Sequence, residues 1–420
     1  MSPAAAPASA GPLSASIVVP GSKSATARGY VLAALAAGPS TLTGVLDARD
    51  TRLMRAALQG FGVRFTDLSD GVVRVTPPER FTPHDVHVGL AGTIMRFVPP
   101  LAALAHGASR FDGDVEAHDR PVAPLLLGLQ RAGVSIDHPE SLPFTVQGAG
   151  RVPGGAVTVD ASGSSQFVSG LLLAGARFER GLDLRHRGGA LPSRPHIGLT
   201  VAMLRDRGVA VVEPEPDHWV VAPGAIAARD ETIEPDLINA ATFLAAPLLV
   251  GGSVTTAWPD HTVQAADAIL DVLAALGAEV VRRPGEVTVS GDGRVRGVDL
   301  DLSLTSELTC VAAALLAVAD APGTISGVAH VRGHETDRLA ALETELNALG
   351  GRVQQTADGL RVTPAPLHGG VFHTYADHRM AHAGSLLALA VSGVELDDLT
   401  CTTKTLPDFA GLWQHLLGQR

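Results

Sequence analysis

A unit of about seventy residues recurs six times along this chain, and that period constrains the fold more than any single motif does. Five segments of one type mark it: "LQGFGVRF" around Gly62, "LQRAGVSI" around Gly133, "LRDRGVAV" around Gly208, "LAALGAEV" around Gly277 and "LNALGGRV" around Gly350. Successive glycines lie 71, 75, 69 and 73 residues apart. Each segment reads as an amphipathic helix closed by a C-terminal glycine and followed by a β-branched strand. A second series interleaves with the first. Small-residue apolar helices end near Gly38, Gly107, Gly181, Gly251, Gly323 and Gly393, with sequences such as "YVLAALAAG", "PPLAALAHG" and "SLLALAVSG". Helices that are apolar nearly all round belong inside a core.

The pattern per unit is strand, buried helix, strand, amphipathic helix, strand, and six such units fill the 420 residues. It predicts an α/β protein of two domains with three repeats each, sheets outside and apolar helices inside. A boundary near "RDETIEPD" (Arg229 to Asp236) divides the repeats evenly. The longest uncharged stretch, Leu237 to Pro259, contains Pro247 and Gly251-Gly252 and reads as a buried helix turning into a strand rather than a membrane span.

Composition narrows the function. A net charge of −11 argues against a nucleic-acid partner, which requires a broad basic face. The two cysteines, Cys310 and Cys401, fit neither a metal site nor a disulfide framework, and the Ala/Pro/Ser-rich start does not read as a signal peptide. A cytoplasmic protein with no membrane partner is expected. Of the 32 basic residues only Lys23 and Lys404 are lysines. A lysine that survives such a bias toward arginine is a candidate for work that needs a compact, titratable ammonium.

The polar chemistry gathers where the six apolar helices begin. The openings read "PGSKSATAR", "LAGTIMR", "SGSSQF", "PDLINA", "TSEL" and "YADHRM". A helix N-terminus offers unpaired N–H groups and partial positive charge, so several of them brought together suit a substrate with several negative charges. Taken singly, each is more often ordinary capping. "PGSKS" lacks both glycines of a nucleotide P-loop, with Ile17 and Ser22 in their places, and no dinucleotide fingerprint follows the first strand. Two acids stand out: Glu307 in an apolar and hydroxyl run, and Glu335 beside His334 and Arg338. The ordinary alternatives are a helix-start acid for Glu307 and a surface pair with Arg338 for Glu335.

With these motifs in hand, and with "DRPVAPLLLGL", "RGHETDRLAAL", "YADHRMAHAGSLLAL" and "KTLPDF" in the same order, the chain resembles the EPSP synthase (3-phosphoshikimate 1-carboxyvinyltransferase) family over almost its whole length. The resemblance implies two inside-out α/β domains, each of three βαβαββ-type repeats. It also implies a crossing of the first strand, so that residues 19–235 form one domain and residues 1–18 with 236–420 the other, the active site lying in the cleft between them. The implied reaction carries the enolpyruvyl group of phosphoenolpyruvate to the 5-hydroxyl of shikimate 3-phosphate through a tetrahedral intermediate, with no metal or organic cofactor. The enzyme would act as a monomer.

Carried over residue by residue, the resemblance implies that shikimate 3-phosphate is held by Lys23, Ser24, Arg28, Ser164, Ser165, Gln166, Ser193, Glu307 and His334. Phosphoenolpyruvate would be held by Lys23, Gly92, Arg120, Gln166, Arg338, Arg379 and Lys404. Lys23, Glu307 and Glu335 would be catalytic: Glu307 takes the hydroxyl proton, and Glu335 handles the methylene proton with Lys23 assisting. Four positions depart from the usual pattern, Leu90 standing for Asn, His334 for Lys, His330 for Asn and His196 for Tyr. A histidine at position 334 leads to the expectation that shikimate-phosphate binding depends on pH in the histidine range. The related UDP-N-acetylglucosamine enolpyruvyl transferases usually carry Asn after the motif lysine, where this chain has Ser24. A binding protein without turnover is disfavoured by the presence of Lys23, Glu307 and Glu335 together.

Overall fold

The computed structural model describes residues 4–5 and 11–418. The interleaved helices appear as predicted. Six apolar helices, Lys23–Leu35, Gly92–Ala102, Gln166–Gly175, Leu237–Ala245, Thr309–Ala317 and His378–Ala390, are buried along nearly their whole length. Amphipathic helices Arg49–Gly60, Ala123–Arg131, Arg194–Asp206, Ala266–Ala275 and Arg338–Ala348 lie between them in sequence. The glycines that end these five have φ from +75° at Gly208 to +114° at Gly277, backbone that a Cβ would strain.

Five sheets have four strands each and share one topology. In the third repeat Gly155–Val159 runs parallel to Leu182–His186, which pairs antiparallel with His218–Val221, which in turn pairs with Val211–Glu215. Parallel neighbours need a crossover, and the buried helix is that crossover. The hairpin that follows the amphipathic helix supplies the last two strands, so the repeats of these five sheets are βαβαββ.

Two repeats take their opening strand from elsewhere in the chain. Leu13–Ile17 runs parallel to Gly252–Ala257 and opens the fourth sheet, whereas Glu231–Thr232 runs parallel to Ser40–Thr43 and opens the first. The chain accordingly forms two compact units, Met1–Pro20 with Pro235–Arg420, and Gly21–Glu234. Each unit has its own hydrophobic core.

The sixth repeat corrects the expectation of six equal units. After its parallel pair, Gly370–Phe372 and Val394–Leu396, the chain runs through one short amphipathic helix, Phe409–Leu416, to Gly418 at φ +68°. No hairpin follows among the described residues; Ala4–Ala5 pairs antiparallel with Val394–Leu396 and makes a three-stranded sheet.

In the unit Gly21–Glu234 one glycine sets how closely two buried helices cross. A Cβ at Gly170 would lie 2.2 Å from the carbonyl oxygen of Arg96, so only glycine lets Gln166–Gly175 approach Gly92–Ala102 this closely. Among the described residues no helix is long and apolar enough to cross a membrane.

Candidate active site

The unit Gly21–Glu234 carries one set of polar side chains at its buried-helix starts. Lys23 is the first residue of its helix, behind Ser22, whose hydroxyl accepts from the backbone N–H of Ala25. Its ammonium is 3.3 Å from the buried carboxylate of Asp50, which comes from the first turn of Arg49–Gly60. One helical turn on, Arg28 is fully buried. Its guanidinium donates to Thr200 Oγ1 at 2.7 Å, to the carbonyl of Ser24 at 2.9 Å and to the carbonyl of His196 at 3.1 Å, and lies over the Phe97 ring. No acid pairs with it among the described residues, and burial pushes its pKa down to about 9. A buried cation with neutral partners only is stabilised by an incoming anion.

A second cluster forms around Gly92. A Cβ there would lie 2.6 Å from Arg96 Nη1, 3.0 Å from Arg120 Nη2 and 3.2 Å from Gln166 Oε1, so these groups converge on a backbone that no side chain shields. Arg120 Nη1 donates to the carbonyl of Leu90 at 2.5 Å, while its Nε is buried with no hydrogen-bond partner among the described residues. Leu90, which stands where the family pattern has Asn, thus contributes its backbone. Arg96 donates to Gln166 Oε1 at 2.9 Å and to the carbonyl of Pro121 at 2.7 Å. The helix start at Gln166 keeps Ser164 and Ser165 beside it, the Gln166 N–H bonding to Ser164 Oγ at 3.2 Å. Ser193 caps Arg194–Asp206 in a left-handed conformation, φ +47°, which is costly for a residue with a side chain and is typical of functional loops.

The unit Pro235–Arg420 gathers the remainder. Glu335 accepts from Lys404 Nζ at 2.6 Å and from Arg338 Nη2 at 3.0 Å. Arg338 also makes a two-pronged pair with Asp377, at 2.7 and 3.1 Å, and its pKa is raised further by those two acids despite burial. The pair between Glu335 and Arg338 is therefore present, but it is buried rather than a surface feature. His334 Nδ1 lies 3.0 Å from Arg338 Nη1. A guanidinium has no acceptor, so Nδ1 accepts and carries no proton in this arrangement.

Arg379, at the start of His378–Ala390, donates to Asn239 Oδ1 at 2.9 Å; burial lowers its pKa, opposed by Asp236 and Glu307 nearby. Tyr375 and Ala376, just before this helix, have φ of +54° and +53°, two further strained positions beside charged groups. Glu307 occupies the one-turn 3₁₀ helix Ser306–Leu308 that leads into Thr309–Ala317, just ahead of the helix rather than on it.

Arg96 and Asp50 belong to these clusters although no role was expected for them, and Asp377, which the helix start at "DHRM" offered as a cap, accepts from the Arg379 N–H as well as pairing with Arg338. Arg96 stood in "LAGTIMR" and Asp377 in "YADHRM", so both were inside recognised motifs. Asp50 gave no signal, because an acid in the first turn of a helix is commonplace. A cavity of ≈ 360 Å³ elsewhere on Gly21–Glu234 holds none of the expected residues; both its arginines pair with acids that line it, Arg52 with Asp47 and Arg55 with Asp67.

Two sets of cations beside carboxylates suit transfer chemistry on anionic substrates. The model of the family described as EPSP synthase (3-phosphoshikimate 1-carboxyvinyltransferase) matches residues 7–413. The chain belongs to the EPSP synthase family. A 3-phosphoshikimate 1-carboxyvinyltransferase of Kocuria rhizophila is 51% identical, the match covering 97% of this chain and 94% of that protein. Two solved structures of EPSP synthase from Acinetobacter baumannii match 97% of the chain with TM-scores of 0.78 and 0.77 at 21% and 20% identity. They cover 97% and 96% of their own chains and share the two-domain α/β repeat fold.

Proposed function

We propose that this chain transfers the carboxyvinyl group of phosphoenolpyruvate to the 5-hydroxyl of 3-phosphoshikimate, releasing phosphate, as a step of aromatic amino acid biosynthesis. Family membership over nearly the whole chain is the observation that carries this reading. The cation sets support it. Lys23, Ser24, Arg28, Ser164, Ser165, Gln166, Ser193, Glu307 and His334 would hold 3-phosphoshikimate. Lys23, Gly92, Arg120, Gln166, Arg338, Arg379 and Lys404 would hold phosphoenolpyruvate.

In the proposed reaction Glu307 accepts the proton of the 5-hydroxyl as its oxygen bonds to C2 of phosphoenolpyruvate, and C3 takes up a proton to become a methyl. The tetrahedral intermediate then loses phosphate and one C3 proton, which restores the double bond. Buried cations neutralise the phosphate and carboxylate and stabilise the charge that develops as phosphate leaves. Lys404 and Arg338 both donate to Glu335. Those two donors keep Glu335 ionised; substrate carboxylate and phosphate would compete for them, letting Glu335 carry a proton, give it to C3 in the addition with Lys23 assisting, and take one back from C3 in the elimination. The protein is proposed to work as a cytoplasmic monomer.

The test is phosphate release from phosphoenolpyruvate with 3-phosphoshikimate or UDP-N-acetylglucosamine as acceptor. Release with the shikimate ester alone is expected. Release with the nucleotide sugar, or with neither acceptor, would overturn the reading.

A further inference from the structure

We propose that His330 is a positioning residue that aims Glu307 through Ser306. The inference rests on the reading of Glu307 as the base that takes the hydroxyl proton. Glu307 is the middle residue of a single 3₁₀ turn, Ser306–Leu308. Such a turn has poor hydrogen-bond geometry and little stability of its own. Its local bonds hold the backbone: Leu308 N–H donates to the Thr305 carbonyl at 2.8 Å, and Thr309 Oγ1 donates to the Ser306 carbonyl at 2.7 Å. The bond from a distant element is made by the side chain of Ser306, which is fully buried. Ser306 Oγ lies 2.9 Å from His330 Nε2, on another 3₁₀ turn, Ala329–Gly333, 24 residues away in sequence.

The imidazole of His330 is itself backed. The His334 ring stands edge-on to it, centroids 5.7 Å apart and planes at 67°. His334 is oriented by Arg338, which Asp377 and Glu335 hold in turn. A continuous series of contacts thus runs from the cluster around Glu335 to the turn that carries Glu307. Its last member is His330, and its effect is to fix the turn through Ser306. A general base must reach its proton within hydrogen-bond distance, and a displacement of about 1 Å can cost on the order of 100-fold.

Steady-state kinetics on the full chain with both substrates tests this, using Ser306→Ala, His330→Leu, His330→Gln and the double variant of Ser306→Ala with His330→Leu. Ser306→Ala and His330→Leu should each lower kcat by about tenfold, with the KM of either substrate changed by less than about twofold. The double variant should be no slower than the slower single variant, because both break one contact. His330→Gln, which keeps a side-chain bond to Ser306, should recover most of the rate. An unchanged kcat, or single losses that multiply in the double variant, would overturn the proposal. So would a raised KM for 3-phosphoshikimate at normal kcat, which would make His330 a substrate ligand instead. Ser306→Ala removes one oxygen atom and keeps the test decisive if His330→Leu does not fold. Glu307→Gln run alongside separates the two readings. Full activity in Glu307→Gln would sink the assignment of Glu307 itself, whereas an inactive Glu307→Gln beside wild-type rates in Ser306→Ala and His330→Leu would sink only the role of His330.

Discussion

At the scale of single residues, chemistry depends on which charges are matched and which wait for a ligand. Arg28 has only neutral partners in a buried setting, so an anion should stabilise the protein through it. We predict that saturating 3-phosphoshikimate raises the melting temperature of the wild type, and that Arg28→Gln loses most of that rise. Lys23 works as a compact ammonium beside Asp50. Lys23→Arg should therefore cost on the order of 100-fold in kcat/KM although charge is kept, because a planar fork cannot replace a point charge. Wild-type kinetics in that variant would remove Lys23 from the chemistry.

His382 bears on stability instead. It is fully buried, its Nε2 has no partner among the described residues, and burial with Arg379 and Arg338 nearby holds its pKa well below the usual 6.5. The unfolded chain protonates this histidine below pH ~6.5 and the folded chain does not, so stability falls as pH drops from there toward the folded pKa. The slope is about 1.4 kcal/mol per pH unit. Urea melts from pH 7 to 5 should show a shallower loss in His382→Met than in the wild type. Parallel curves for the two would contradict the argument. His334 Nδ1 accepts from Arg338 Nη1 at 3.0 Å.

Among the elements, the buried helices do two things. Their apolar bodies make the cores, and their first turns present the polar groups. The contact at Gly170 ties the two roles together, because it brings Gln166 and Arg96 onto one another. Gly170→Ala should destabilise the protein by on the order of 1–3 kcal/mol through overpacking against the Arg96 carbonyl. It should also lower kcat/KM by displacing Gln166. Loss of stability with normal kinetics would separate packing from site geometry.

For the whole molecule, the order of elements in sequence is not the order of cooperation. Gly21–Glu234 is continuous and has its own core, closed by the strand Glu231–Thr232. Its counterpart needs Leu13–Ile17, whose Leu13 and Ile17 are core residues. We predict that a fragment of residues 21–234 melts cooperatively by circular dichroism and that one of residues 235–420 does not. Neither fragment should release phosphate from phosphoenolpyruvate, because the proposed cations are divided between the units. Cooperative folding of the second fragment would show that the N-terminal strand is dispensable.

The seventy-residue period, the inward helices and the glycine stops were legible in the chain, because burial and the left-handed backbone leave local signatures: apolar runs, and glycine where a Cβ is strained. The motifs likewise gave most of the charged side chains of both clusters. What local pattern did not carry is pairing across distance. That Asp50 meets Lys23, that Arg96 holds Gln166, and that His330 bonds to Ser306 are contacts between residues 24 to 70 positions apart, and nothing in either partner's neighbourhood encodes the other. The truncation of the sixth repeat has the same origin, since its third strand comes from the far end of the chain. Sequence determined which segments must be buried and where helices stop; only the tertiary structure decided which charges are neighbours, because ion pairs and hydrogen bonds depend on separation in space.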